Sequence, residues 1–247
     1  MDLTQDAFLD GKITASQPKN GYRAATDPVF LASAVPARPG QSVLDVGCGV
    51  GVAGLCLAQR VAGVGVTGLE LQEDYAALAR RNASANVLSL RVVTGDLRDL
   101  PPELRAAQFD HVMTNPPFYP NGRTTRPSSG GKSVAHVESV DLDAWIALCL
   151  KRLRPRGSFT IIQTADRLQD ILCALTGPVG AIRILPLAPR TGRPAKRVIV
   201  QARKGSRAAL QLLPPFEVHS GTAHRRDGDD YSEAARAILR AGRALTL

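Results

Sequence analysis

The amino-acid sequence predicts an α/β fold: a doubly wound, mostly parallel sheet of seven strands with an antiparallel pair at one edge. Three observations carry that expectation. Short apolar runs bounded by turn residues alternate with amphipathic stretches from Ser42 onward, and such alternation implies parallel pairing through right-handed crossovers. A glycine-rich turn, "DVGCGVGVAGL", joins the first apolar run to the first helical pattern after it. Late in the chain, "AIRILPLAP" and "AKRVIVQARKG" follow one another without a helix between them, as an antiparallel edge pair would.

The elements read in order. After a polar start, "DPVFLASAV" is a short helix with Asp27 placed to cap its free amides and Pro28 at the first helical position, where the missing N–H costs nothing. "PARPG" ends it. Then "SVLDVG" is a strand, "VAGLCLAQRVA" a helix, "GVTGLEL" a strand, "EDYAALARRNASAN" a helix, "SLRVVTGD" a strand and, after a polar crossover, "FDHVMT" another. The connection over residues 115–140 is rich in Gly, Ser, Pro and Thr, and a loop so long in a compact domain reads as functional. "DLDAWIALCLKRLRP" is an amphipathic helix whose Lys151, Arg152, Arg154 and Arg156 fit a helix end, where cations are favoured. "GSFTIIQTA" is the fifth strand and "DRLQDILCALT" a helix. The edge pair follows, then a tail with "ALQLLPPFEVH" and the closing helix "YSEAARAILRAG".

A chain of 247 residues with 44% hydrophobic content suffices for one core, so residues 1–247 are expected to form one domain. No apolar run approaches the ~18 residues of a membrane span, and the start "MDLTQDAFLDGK" carries acids where a signal peptide would be basic. A cytoplasmic protein is expected. Cys48, Cys56, Cys149 and Cys173 never fall in a C-x-x-C arrangement, and His111, His136, His219 and His224 lack ligand spacing. Neither disulfides nor a metal are expected. The net charge of +9 leans toward a polyanionic partner.

In the glycine turn, Gly47, Gly49 and Gly51 stand where a strand becomes a helix, so backbone can approach a ligand and helix amides face it. A G-x-G-x-x-G also exists at Gly49, Gly51 and Gly54, with Glu70 placed 21 residues after Gly49, as a nicotinamide cofactor's ribose acid would be. The competing reading puts Asp45 at the strand's end to meet a cationic amino group, Glu70 on ribose hydroxyls, and Asp96 on an adenine amino group with Leu97 covering the ring. That set suits S-adenosylmethionine; a pyrophosphate would be repelled by Asp45.

The stretch "VMTNPPFYPNGRTTRPSSGG" leaves the fourth strand abruptly. A residue before proline is pushed to extended backbone, so Asn115 is held at the strand's end while Pro116 fixes the exit and keeps a free carbonyl. The Asn115 amide oxygen and the Pro116 carbonyl can accept the two hydrogens of a planar amine and aim its lone pair at an electrophilic methyl. Phe118 offers a flat face for a base or amide, and Tyr119 lies beside it. Read alone, the four letters also describe an ordinary turn.

With these residues in view, the sequence resembles the class I S-adenosylmethionine-dependent methyltransferases that carry an N/D-P-P-Y/F motif. Among them it resembles the bacterial tRNA1(Val) (adenine-37-N6)-methyltransferase family, in "QPKNGYRAATDPVFLA", "DVGCGVG", "GLEL", "NPPF", "AHVES", "WIALCLKRLRPRG", "RPAKRVIVQARKG" and "LPPF". The resemblance implies a Rossmann-like, seven-stranded class I methyltransferase fold. It also implies that residues 1–40 cover the cofactor, with Tyr22, Thr26 and Asp27 at its methionine end. Asp45, Gly47, Cys48, Gly49, Gly51, Glu70 and Leu71 would hold it, Asp96 and Leu97 would meet its adenine, and Asn115, Pro116, Pro117 and Phe118 would carry transfer. Phe118 stands where many members have Tyr. The implied partner is RNA, with tRNA foremost, and no membrane.

From Arg183 to Arg207 the chain has eight basic residues and no acid. With Arg123, Arg126 and Lys132 of the loop, Lys196 and Arg197 are candidates for phosphate contacts. Three other activities remain open at this stage. They are N-methylation of a protein glutamine or another nucleic-acid amine, nucleic-acid binding around a vestigial cofactor pocket, and nicotinamide-dependent oxidoreduction. Before the glutamine enzymes' glycine loop a sizeable helical domain is usual, and here about forty residues precede it, counting to Gly40.

Overall fold

The chain opens with an antiparallel hairpin, β1 (Leu3–Phe8) and β2 (Ile13–Pro18), where only a polar start was expected. Its signal was the Asp10-Gly11 pair in the turn, which supplies positive φ at both residues. The computed structural model describes residues 2–117, 141–175, 177, 179–221 and 230–247.

Helix α1 (Asp27–Ala34) follows, and every residue from Pro28 to Ala34 is buried. A helix apolar on all sides belongs inside, and α1 lies against the sheet with two other helices. Asp27 does not cap it. The N-cap position is Thr26, no side chain accepts there, and the Asp27 carboxylate instead accepts from Arg197 Nε at 2.8 Å.

Next come β3 (Ser42–Val46), α2 (Val52–Arg60), β4 (Gly65–Glu70), α3 (Glu73–Ala85) and β5 (Leu90–Thr94). The polar crossover holds a single helical turn, α4 (Pro102–Arg105), before β6 (Phe109–Thr114). Helix α5 (Leu142–Lys151) leads into β7 (Leu153–Thr164), then a 3-10 turn, α6 (Leu168–Ala174), β8 (Val179–Ala188) and β9 (Arg197–Lys204). Arg154 and Arg156 therefore belong to a strand, and Arg154 pairs with Asp110 at 2.9 Å. Lys151 does lie in the last turn of α5 and Arg152 is its C-cap, and Lys204 Nζ adds a further cation there, donating to the Leu150 and Leu153 carbonyls at 2.9 and 2.8 Å. Two-residue strands β10 (Gln211–Leu212) and β11 (Phe216–Glu217) precede α7 (Glu233–Leu239).

The main sheet runs β10-β8-β9-β7-β6-β3-β4-β5, and β11 also pairs with β8. Strands β7, β6, β3, β4 and β5 are parallel, while β9 lies antiparallel between β7 and β8. The seven long strands are those expected. The antiparallel pair is also present, but β10 and β11 extend the sheet beyond it.

Strand periodicity sorts the apolar side chains into two layers. Val43, Met113, Ile162 and Ile199 face one side with α1, α2 and α7. Leu44, Val112, Ile161 and Val200 face the other with α5 and α6. The chain builds outward from β3 to β5, then returns to β6 on the other side of β3. That reversal opens a crevice beyond the carboxyl ends of β3 and β6.

Candidate active site

Beyond β3 the backbone takes positive φ at Gly47 (+70°), Gly49 (+55°) and Gly51 (+88°), so this turn is open only to residues without the β-carbon's penalty. Gly47 and Cys48 donate their amides to the Leu69 carbonyl at 2.8 and 3.1 Å, which folds the turn across the end of β4. Glu70 fastens it. One carboxylate oxygen accepts from Gly49 N and the other from Gln72 N, both at 2.9 Å. A β-carbon on Gly47 would stand 3.1 Å from the Trp145 ring, and one on Gly68 would stand 2.7 Å from Cys48 Sγ. Cys48 thus points inward to β4, leaving its backbone as the part that can meet a ligand.

Asp45 and Asn115 line the same crevice. Asp45 is 2% exposed, and its Oδ2 has no hydrogen-bond partner. Burial, with the negative charge of Glu70, pushes its carboxyl up to about 7, against a backbone hydrogen bond from Gly54 that lowers it. Asn115 Nδ2 donates to Tyr22 Oη at 3.2 Å, while Asn115 Oδ1 is buried without a partner. Burial and the nearby carboxylates of Asp27 and Asp45 push the Tyr22 phenol up to about 12, so it stays protonated. Tyr22, Pro28, Asp45, Gly47, Cys48 and Asn115 line an open cleft of about 300 Å³.

The supporting residues were not singled out from the sequence. Trp145 Nε1 donates to Thr114 Oγ1 at 3.0 Å, and Thr114 Oγ1 donates to the Val46 carbonyl at 2.8 Å, locking the ends of β3 and β6 together. Gln163, at the end of β7, donates from Nε2 to the Pro116 carbonyl at 3.3 Å. Gln17 exchanges two hydrogen bonds with the Ala24 backbone and so holds the segment that carries Tyr22. The available signal was a lone polar residue closing an apolar strand, as in "SFTIIQT" and "HVMTN".

The other expected site residues are placed as follows. Asp96 lies at the end of β5, but its carboxylate is held by Arg98 through the backbone amide at 2.8 Å and the guanidinium at 2.7 Å. Those hydrogen bonds keep it below the usual carboxylate range. Leu97 is buried in the core with Leu100 and Leu104, whereas Leu71 is 44% exposed beside Glu70. Pro117 is exposed at the strand exit. Phe118, Tyr119, Arg123, Arg126, Lys132, His136, Glu138 and His224 lie outside the described residues. Of the late basic run, Arg183, Arg190, Arg197, Arg203 and Lys204 are engaged with backbone carbonyls or carboxylates. Arg193 and Lys196 are solvent-exposed on the β8–β9 turn. Among the described residues, no group of three or more His, Cys, Asp or Glu is arranged to hold a metal, and no helix is long and apolar enough to cross a membrane.

These groups fit S-adenosylmethionine. Two buried oxygens without donors, Asp45 Oδ2 and Asn115 Oδ1, line one cleft, which suits a ligand bearing positive charge and N–H groups. Glu70 retains lone pairs for ribose hydroxyls. Gly54, which completed the nicotinamide pattern, sits inside α2, where a β-carbon would come within 2.9 Å of Leu90. Its small size serves helix–sheet packing.

Residues 25–165 match the family described as "Methyltransferase small domain". A Porphyromonas gingivalis protein named tRNA1(Val) (adenine(37)-N6)-methyltransferase is 30% identical over 215 residues, 83% of this chain and 84% of that protein. A Dickeya chrysanthemi protein of the same name is 26% identical over 242 residues, 96% and 94% of the two chains. Among solved structures, a predicted O-methyltransferase from Agrobacterium tumefaciens superposes with a TM-score of 0.72 at 24% identity, covering 90% of this chain and 99% of that one. A Thermus thermophilus 16S rRNA N2 G1207 methyltransferase bound to AdoMet and guanosine gives 0.55 at 22% identity, covering 82% and 50%. At these identities the structural likeness concerns the fold.

Proposed function

Because the chain belongs to the methyltransferase small-domain family, we propose that it transfers a methyl group to N6 of an adenine in RNA, foremost in the anticodon loop of a tRNA. The protein is an enzyme whose cofactor is S-adenosylmethionine, which supplies a methyl group on a positively charged sulfur. The observation that carries the reading is the Asn115 amide, with Nδ2 committed to Tyr22 and Oδ1 buried and free. An exocyclic amine delocalises its lone pair into the ring. Asn115 Oδ1 and the Pro116 carbonyl accept its two hydrogens, favour a pyramidal nitrogen and direct the lone pair into the cleft. Asp45 and Glu70 hold the cofactor's ammonium and ribose, and Phe118 stacks on the base. The lost N6 proton passes to solvent after transfer, so no strong base is needed before attack.

RNA reaches the site past the β8–β9 turn. Arg197 pairs with Thr164 at the carboxyl end of β7, so the turn with Arg193 and Lys196 rises on the side where Asn115 and Pro116 emerge. Those exposed cations, with Arg123, Arg126 and Lys132, contact phosphates. A tRNA substrate places the enzyme in the cytoplasm. The names of the relatives support this acceptor.

The test is transfer of labelled methyl from S-adenosylmethionine to total tRNA from cells lacking the protein, followed by nucleoside mass spectrometry. N6-methyladenosine from wild type and none from Asn115→Ala, with cofactor affinity retained, is the expected result. Unlabelled tRNA with intact cofactor binding would overturn the RNA reading and make a protein glutamine the next acceptor to try.

A further inference from the structure

Pro116 and Pro117 leave the sheet without a backbone N–H between them, so their peptide planes cannot be anchored by donation. The ring of Pro117 restricts the Pro116 backbone, and a hydrogen bond accepted by the Pro116 carbonyl is what remains to set that oxygen's final direction. Strands β6 and β7 are parallel neighbours with Thr114, the last residue of β6, opposite Ile161; two residues further along the chain stand Pro116, just beyond β6, and Gln163, still in β7. There Gln163 Nε2 donates to the Pro116 carbonyl at 3.3 Å.

The carboxamide is itself oriented. Gln163 is 3% exposed, and a buried amide needs its bonds. Its Oε1 accepts from the Thr164 backbone amide at 2.8 Å, which leaves Nε2 to face Pro116. On the other acceptor the same arrangement recurs: Tyr22 takes Asn115 Nδ2, so the oxygen stays free. Each oxygen meant for the incoming amine is set by one neighbouring side chain.

We infer that Gln163 is a positioning residue for methyl transfer: its carboxamide holds one lone pair of the Pro116 carbonyl so that the other faces the acceptor amine in the cleft. This rests on the proposed role of Asn115 and Pro116 in binding that amine. Gln163 does not touch the reacting atoms. It acts through the angle of one carbonyl, and near-attack geometry is sensitive to displacements of about 1 Å.

Two variants and two readouts test it. In crystal structures, Gln163→Leu should leave asparagine and glycine loop unchanged while the Pro116 carbonyl turns from its wild-type direction. In kinetics with the methylated RNA, Gln163→Leu should lower kcat about ten- to a hundredfold, with KM for RNA and Kd for cofactor changed less than about threefold. A carboxylate cannot donate, so Gln163→Glu should be equally slow at high pH. As pH falls its carboxyl gains a proton and can donate again, so its kcat, relative to wild type at the same pH, should recover, whereas that of Gln163→Leu should not. An unmoved Pro116 carbonyl, or kcat and cofactor affinity falling together with a lowered Tm and no pH recovery, would overturn the inference. If wild type makes no N6-methyladenosine, the adenine reading fails, and the carbonyl's direction in the Gln163→Leu structure still decides the role of Gln163.

Discussion

Asn82 binds Ser16 as a neighbouring strand would: its Oδ1 accepts the Ser16 amide at 2.8 Å and its Nδ2 donates to the Ser16 carbonyl at 3.2 Å. One helical turn on, Asn86 does the same to Thr14, at 2.9 and 2.7 Å. The match is metric. Four residues of helix rise about 6 Å and two residues of strand about 6.6 Å, so two amides on α3 can grip the free edge of β2. Asn82 Nδ2 also donates to the Val50 carbonyl at 3.0 Å, joining the hairpin to the glycine loop.

Asn82→Ala should therefore cost about 2–4 kcal/mol, since it strips three buried backbone groups of their partners. Asn86→Ala should cost about 1 kcal/mol, because its bonds to Thr14 are solvent-exposed. Urea unfolding checks the difference. Hydrogen exchange at Thr14 and Ser16 should rise in both variants, and cofactor affinity should fall only in Asn82→Ala.

Gly68 makes room for Cys48. In Gly68→Ala the new β-carbon would lie 2.7 Å from Cys48 Sγ, so the glycine loop must shift at a cost of about 1–3 kcal/mol, with a parallel loss of cofactor affinity. Adding Cys48→Ala should restore part of both, since it removes the sulfur but leaves the Cys48 β-carbon 3.1 Å from the new one, and the coupling is read from a double-mutant cycle. Additive losses would show that the two side chains do not compete for this space.

Asp45 predicts a pH dependence of cofactor binding. Its carboxyl is raised from 3.8 to about 7, so the free protein is protonated there below about 7. A cationic ligand favours the ionised form, so affinity should rise with pH up to about 7 and then level off, with about one proton released per cofactor below that pH. Titration calorimetry in buffers of different ionisation heat measures the release. The same shift means that the stability contributed by Asp45 is full below 3.8 and is lost as pH rises through about 7.

His111 behaves in the opposite sense at the far end of the sheet. Its ring accepts from Ser158 Oγ at Nδ1, 2.6 Å away, and donates from Nε2 to Gln41 Oε1 at 3.0 Å. Burial lowers it from 6.5 to about 4, with Asp110 opposing and Arg203 and Arg60 adding to the shift. The unfolded chain binds this proton first. Its contribution is full above 6.5 and is lost as pH falls toward about 4. An NMR titration of the ring should show a midpoint near 4 rather than 6.5.

Part of the site was legible because it rests on local chemistry. Gly47, Gly49 and Gly51 need positive φ, and a glycine run at a strand–helix junction advertises that need. Asp45, Glu70 and Asn115 close three strands whose apolar patterns mark their ends. The hairpin was hidden because β1 is only half-buried and shows no clean alternation. Gln163, Trp145 and Asn82 were hidden for another reason: their roles are hydrogen bonds to partners 47, 31 and 66 residues away. Nothing near them in the chain marks those partners.

By itself, the sequence determined the order of the seven long strands and the helices between them, the glycine turn, the acids at the strand ends and the stiff exit at Asn115, since each follows from periodicity or from one residue's allowed backbone. Only the tertiary structure decided which polar groups are spent and which remain free. Arg197 is spent on Asp27 and Arg98 holds Asp96, while Asp45 Oδ2 and Asn115 Oδ1 stay unpaired in one cleft. Pairing depends on distances between strands far apart in the chain, and burial determines what an unpaired oxygen costs until a ligand supplies its donor.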